Sequence, residues 1–240
     1  MQNEKLKVGV FFTGFLRTYL RYHHVFNSQI FSKYDCDIKY CLWNRHEGPP
    51  NSSLRVPNQN NFGEHVSDEE MRFLRDFGEA RVIDINHYTA TKKQFQALDR
   101  PGDVFKVDKR AMAHGDYFAN RIIDQWFLIK EGFRMFENPQ SYDVIIRLRF
   151  DAPTYSLPLI INECLNVPAD IGGWEFTDHM AYGNPEIMET YSNLHEQIGG
   201  LYRDYNIDVS HAVNLPLFYI RSKSIIINTD EKIKYSINKR

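Results

Sequence analysis

The residues best equipped for chemistry lie in the stretch Tyr142-Asp-Val-Ile-Ile-Arg-Leu-Arg-Phe-Asp-Ala152. An apolar, β-branched run opens it, and Arg147, Arg149 and Asp151 follow at a spacing of two. Alternate residues of a strand share one face, so the three side chains point the same way while the strand stays extended. Guanidinium groups match phosphate oxygens with a planar fork. A carboxylate beside them suits a hard cation that bridges such oxygens. The same three residues also suit an Arg–Asp pair that only fastens the strand end, and the residues alone leave both readings open.

Other candidates sit where strands are expected to end. Thr13-Gly-Phe-Leu-Arg17 follows the first strand. Gly14 permits a tight turn, and Arg17 is expected in the first turn of the next helix, near its free N–H groups. Trp43 and Asn44 end the second strand; Trp43 could stack on a base or serve as core, and Asn44 could hydrogen-bond a ligand. Asp178 and His179 lie in Thr177-Asp-His-Met-Ala-Tyr-Gly183, a loop position suited to a general base or a ligand contact.

The elements that must position these groups follow from hydrophobic periodicity. Strands are predicted at 7–13, 36–43, 80–85 and 143–149, with helices at 16–31, from Ser67 to about 77, and at 111–136. Ser67 and Glu70 form a capping-box signature. Alternating strands and helices predict an α/β fold with a mostly parallel sheet flanked by helices. After Asp151 the pattern loosens into a small mixed β region, with short strands predicted at 158–161, 171–175, 217–221 and 224–228 and a helix over 185–198, Pro185 at its first position. Residues 44–66 and 86–110 read as long loops. No repeat or linker is visible, which predicts a single domain over 1–240.

Composition excludes several classes. Of 240 residues, 42% are hydrophobic and 14% aromatic, enough for a substantial core, and the net charge is -2 with no basic run. That argues against a nucleic-acid partner. Three cysteines form no CxxC pair, and no apolar run approaches a membrane span, so a cytoplasmic protein with no transmembrane segment is expected. Peripheral contact with a membrane-bound acceptor stays open.

Taken in order, the strand with Gly14 and Arg17, the strand ending in Trp43, the Asp124-Gln125-Trp126 helix, YDVIIRLRFD, and the later segment with Asp178, Gly183 and Met188 resemble the GT-A-type glycosyltransferases of bacterial or large-virus capsule and lipopolysaccharide synthesis. The resemblance covers roughly residues 7–195. It implies a GT-A-like, Rossmann-like fold with a nucleotide-binding part over about 7–151 and an acceptor part over about 152–228. It implies sugar transfer from a nucleotide-diphosphate sugar to a glycan, lipid-linked or protein-linked acceptor, in host cytoplasm if the source is viral. Gly14, Arg17, Trp43, Asn44, Arg147 and Arg149 would then hold the nucleotide. Asp151 would take the place of the last carboxylate of a metal motif, with His211 as a further ligand of Mn²⁺ or Mg²⁺; Arg149 stands where that motif has its first Asp, which opens a metal-free alternative. Asp178, or else Glu186, would be the base of an inverting enzyme, with His179, Tyr182 and Gly183 near the sugar or acceptor. The alternative is a non-catalytic module that binds a nucleotide-sugar or phospho-sugar. Either reading requires Arg17, Arg147, Arg149 and Asp151 to gather around one hollow big enough for a diphosphate; groups scattered, or tied to one another beneath the surface, would count against sugar transfer.

Overall fold

The computed structural model describes residues 5–46, 63–88, 115–169, 176–205 and 213–236. Strands β1 (Lys7–Gly14), β2 (Asp35–Trp43), β3 (Glu79–Ile83) and β4 (Val144–Arg149) alternate with helices α1 (Tyr19–Phe26), α2 (Asp68–Arg75) and α3 (Gly115–Phe133). A π-helical turn, Asn27–Phe31, extends α1. There follow β5 (Thr154–Ser156), β6 (Cys164–Pro168), β7 (Met180–Gly183), α4 (Pro185–Ser192), α5 (Leu194–Tyr205), α6 (Asn214–Ser222), β8 (Ile226–Asp230) and β9 (Lys234–Tyr235).

Seven strands form one sheet in the order β3-β2-β1-β4-β7-β6-β8, and β5 pairs with β9 in a separate antiparallel ribbon. β1 pairs in parallel with both β2 and β4, and β2 with β3. β7 is antiparallel to both β4 and β6, while β6 and β8 are parallel, so β7 alone runs against the rest. The fold is therefore α/β with a mostly parallel sheet between helical layers. One layer, built from α1, the π turn and α2, packs Tyr19, Phe26, Ile30, Met71 and Leu74 on Val8, Val10, Phe12, Ile146 and Leu148. The other packs Trp126, Ile129, Met188, Tyr191 and Leu194 on Phe11 and Ile145.

The even residues of β4 thus face one layer and its odd residues face the other. Ile145 is core, Arg147 is also buried, and Arg149 reaches the rim. The periodicity that places Ile145 inside aims both arginines at the α3/α4 side. Gly132 brings α3 close to this end of the sheet; a Cβ there would come within 2.9 Å of Phe11 and 3.0 Å of Thr13.

Local signals explain where elements begin. The capping box is formed: the Glu70 N–H donates to Ser67 Oγ at 3.2 Å and the Ser67 N–H to Glu70 Oε2 at 2.8 Å. The helix expected over 185–198 divides at Asn193, whose N–H closes on Glu189 and Thr190. Residues 158–161 form no strand, and β5, β6, β7 and β9 lie outside the predicted strands. Residues 217–221 belong to α6: Leu215, Tyr219 and Ile220 are its buried residues, and Pro216 sits in the first turn, where a missing N–H costs little. A short apolar run cannot be assigned to strand or helix by periodicity alone. The strand predicted over 171–175 lies outside the described residues.

Candidate functional site

The order β3-β2-β1-β4 contains a topological switch point. The chain leaves β1 toward β2 on one side, and β4 lies on the other. In open α/β sheets ligands bind in the crevice outside the strand carboxyl ends at such a point. Arg17 follows β1 and Asp151 follows β4, so the switch point carries one from each side.

The β1–β4 register places Thr13 opposite Arg149. Gly14 then turns with φ 127°, a conformation that glycine adopts without steric cost. Arg17 itself has φ 44°, a conformation uncommon for a residue with a side chain and one that concentrates at functional sites. It precedes Thr18, the residue before α1, and so does not lie in the helix's first turn as expected. From there its guanidinium donates to Asp151 Oδ2.

Because β7 runs against β4, the loop leading into β7 arrives at the end where β4 finishes. The Arg149 N–H donates to the His179 carbonyl at 3.2 Å, continuing the ladder past Leu148–Met180. Asp178 and His179 are delivered to the switch point in this way. Arg149 forms a fork on Asp151, with Nε to Oδ1 and Nη2 to Oδ2 both at 2.9 Å, and its Nη1 donates to Asp178 Oδ2 at 3.3 Å. Beneath it, Arg147 donates Nε to Thr13 Oγ1 at 3.1 Å and Nη1 to the Asp178 carbonyl, with Tyr191 alongside.

Four of the expected residues, Arg17, Arg147, Arg149 and Asp151, are therefore gathered, together with Asp178 and His179. They are also largely joined to one another, and Asp151 and Arg147 lie out of reach of solvent, so the expected open hollow is met only at Arg17, Arg149 and Asp178. Asp151 is 2% exposed and Arg147 1%, while the side chains of Arg17, Asp178 and Arg149 keep 15, 17 and 20%. Arg147 is accordingly out of reach of direct contact from solvent and holds the Asp178 carbonyl. Burial opposes ionisation of Asp151, but Arg149 and Arg17 hold its carboxyl far below the usual range. Burial opposes ionisation of Asp178 too, and Arg149, His179, Arg147 and a hydrogen bond from Gln125 more than offset it. His179 is pushed below its ordinary value, by burial first, and is neutral at pH 7.

Several expected residues lie elsewhere. Trp43 is 2% exposed and packs on Phe127 and Tyr88 with ring centroids at 6.2 and 5.3 Å; it is core and not a stacking platform. Asn44 clamps β2 to the end of β3, donating to Asp84 Oδ1 at 3.1 Å and accepting the Ile85 N–H at 3.2 Å. Tyr182 is buried in the α1/α2 layer, on the sheet face opposite the arginines, and donates to the Pro158 carbonyl. Gly183 pairs with Ile145, four residues down β4 from Arg149, which is roughly 13 Å at 3.3 Å per residue. Its role is packing, since a Cβ would come within 3.1 Å of Cys164 and Ile187. Glu186 follows on the exposed start of α4 and lines a separate cavity of about 420 Å³ with Thr190, Glu196, Gln197, Tyr219 and Lys223. It is not part of the arginine site.

The expected cation can be tested against the donor set. His211 lies outside the described residues. Both oxygens of Asp151 already accept from guanidinium groups, and Asp178 is held by Arg149. No group of three His, Cys, Asp or Glu converges among the described residues. Among the described residues, two carboxylates facing three guanidinium groups do not fit a hard dication, which takes about six oxygens.

Sequence reasoning missed Thr13, Thr177, Tyr191 and Tyr235 as members of this site. Thr177 and Tyr235 both bond the His179 ring, and Tyr235 comes from β9. Thr13 and Tyr235 are brought in by strand pairing and Tyr191 by the packing of α4, while Thr177 sits two residues before His179.

The fold and site together define an α/β protein with an arginine-rich cluster at a sheet switch point. The chain matches no protein-family model and no curated protein. No helix among the described residues is long and apolar enough to cross a membrane.

Proposed function

We propose that this chain is a glycosyltransferase of GT-A type, moving a sugar from a nucleotide-diphosphate sugar to a hydroxyl acceptor in surface-glycan synthesis. One observation carries the reading: Arg17 and Arg149, backed by Arg147, meet beside Asp178 at the β1/β4 switch point. In the reaction the bond from the anomeric carbon to the diphosphate oxygen breaks, and its electron pair goes to that oxygen. The acceptor oxygen bonds to the anomeric carbon, and its proton passes to Asp178. Negative charge grows on the diphosphate, where fixed cationic donors are most effective. A bound diphosphate draws Arg17 and Arg149 away from the carboxylates. That raises the basicity of Asp178 as the acceptor arrives, since it loses the cation that holds its proton affinity down.

In this reading the arginines neutralise the leaving group, and no step passes through a metal. A thermal-shift screen with UDP-, GDP- and dTDP-sugars, with and without Mn²⁺, tests it. Ligand binding to the native state raises the melting temperature. A shift with one donor class, equal in both arms, is the expected result. No shift with any nucleotide sugar defeats the reading.

The second reading is a non-catalytic nucleotide-sugar or phospho-sugar binder. The pairing of Asp178 with Arg149 favours it, since an arginine-bound carboxylate is a weak base. Slow hydrolysis of the bound donor separates the two: a transferase leaks sugar to water, and a binder does not.

A further inference from the structure

The C-terminal strand enters the site from an unexpected direction. At Asp230 the chain turns, with the side chain accepting the Lys232 N–H at 2.8 Å and the carbonyl accepting the Ile233 N–H at 3.3 Å. β9 then pairs with β5, Thr154 opposite Tyr235, immediately after Asp151-Ala-Pro. The Ser236 N–H donates to the Pro153 carbonyl at 3.1 Å and anchors the segment there. Tyr235 consequently stands over His179, its hydroxyl 3.0 Å from Nδ1 and the ring centroids 5.2 Å apart.

The donors and acceptors around His179 determine its tautomer. Nε2 lies 3.4 Å from Asp178 Oδ1. An ionised carboxylate only accepts, so its approach favours the proton on Nε2. In the neutral ring Nδ1 is then bare and accepts. Two hydroxyls are aimed at it, Tyr235 at 3.0 Å and Thr177 at 3.1 Å. Thr177 Oγ1 also accepts the His179 N–H at 3.2 Å, which fixes the backbone while leaving its own hydrogen to donate. The contacts run from Tyr235 through a hydrogen bond to His179 and on to Asp178 by the 3.4 Å approach of Nε2.

We infer that Tyr235 is a positioning residue: its hydroxyl, with that of Thr177, holds His179 as the Nε2–H tautomer, and His179 thereby fixes the carboxylate of Asp178. The catalytic consequence rests on the proposed sugar transfer; the tautomer does not. Restraint from His179 on one oxygen and Arg149 on the other leaves Asp178 little freedom to turn, so the carboxylate is orientated before any acceptor binds.

Two measurements test this. In the full chain labelled with ¹⁵N, with His179→Gln to assign the signals, the ring of His179 at pH 7.5 is expected to show a protonated Nε2 and a bare Nδ1. A protonated Nδ1 overturns the inference, whatever reaction the protein performs. In Tyr235→Phe, turnover is expected to fall about tenfold while the KM for the nucleotide sugar stays within about twofold and the melting temperature is unchanged. Unchanged turnover overturns it, as does a loss confined to KM. If no nucleotide sugar is turned over, the proposed function fails, and the nitrogen signals alone decide the role of Tyr235.

Discussion

Replacing Asp151 with Asn is the most searching test of the arginine cluster. The substitution keeps the shape of a side chain that is 2% exposed and removes the charge facing Arg17 and Arg149. Leaving buried charge without its partner costs about 3–5 kcal/mol. Both arginines keep some solvent contact, so the lower end, about 3 kcal/mol, is expected at pH 7. For a domain of this size each kcal/mol lowers the melting temperature by about 2–4 °C, which gives a fall of about 6–12 °C. The sign of the pH dependence is also set. The carboxyl of Asp151 is depressed in the folded state, so its contribution is complete well above its unfolded value near 3.9 and drains as pH falls through that value toward the folded one. At pH 3.5 the gap between native chain and variant should have narrowed by about 0.7 kcal/mol, since the unfolded state has begun to take up the proton. Urea unfolding of both proteins at the two pH values measures this. A gap under about 0.5 kcal/mol at pH 7, or one that widens in acid, would refute the claim that the arginines hold Asp151 ionised. If the cluster is an anion site, the same variant should bind inorganic pyrophosphate on the order of tenfold more tightly, a change of about 1.4 kcal/mol, because its arginines have lost a competing carboxylate.

Asp178→Asn should cut turnover by about 10²–10⁴-fold with little change in donor-induced thermal shift, as loss of a general base does; equal turnover removes it from the mechanism. Trp43→Ala should cost about 3–5 kcal/mol, read by urea unfolding, because it empties the contact with Tyr88 and Phe127. Its nucleotide affinity, measured by calorimetry well below the melting temperature, should stay within about twofold; a selective loss of affinity would return Trp43 to the site. Glu186→Gln should leave transfer unchanged in a steady-state assay, since Glu186 lies at the far end of β7, and a loss of turnover would contradict that placement.

The parallel β1 to β4 part of the sheet was legible because its strands are short apolar runs ended by turn signals, as at Val8–Thr13 and Val144–Leu148. The spacing of two in Arg147, Arg149 and Asp151 correctly put the arginines on one side of β4. It could not show that Arg147 is buried against Tyr191 while Arg149 reaches the rim, because depth along a strand depends on what packs over it. Asp178 and His179 were legible as loop residues, but their delivery to the switch point depends on β7 running backwards, which no local pattern encodes. Glu186, Tyr182 and Gly183 were misplaced for the same reason: in an antiparallel strand, residues further along the chain move away from the site. Trp43 and Asn44 looked ligand-facing because they end a strand, yet Tyr88, Phe127 and the start of the Ile85 segment occupy both.

The contact between Arg17 and Asp151 joins residues 134 positions apart. Closing so long a loop costs entropy before any contact rewards it. The site therefore has no precursor in the isolated first half of the chain: it comes into being with the β1–β4 pairing or not at all. If the cluster is an anion site, affinity for a phosphate ligand should appear during refolding together with amide protection of the central strands, never ahead of it, which would make ligand capture a clock for the assembly of the sheet.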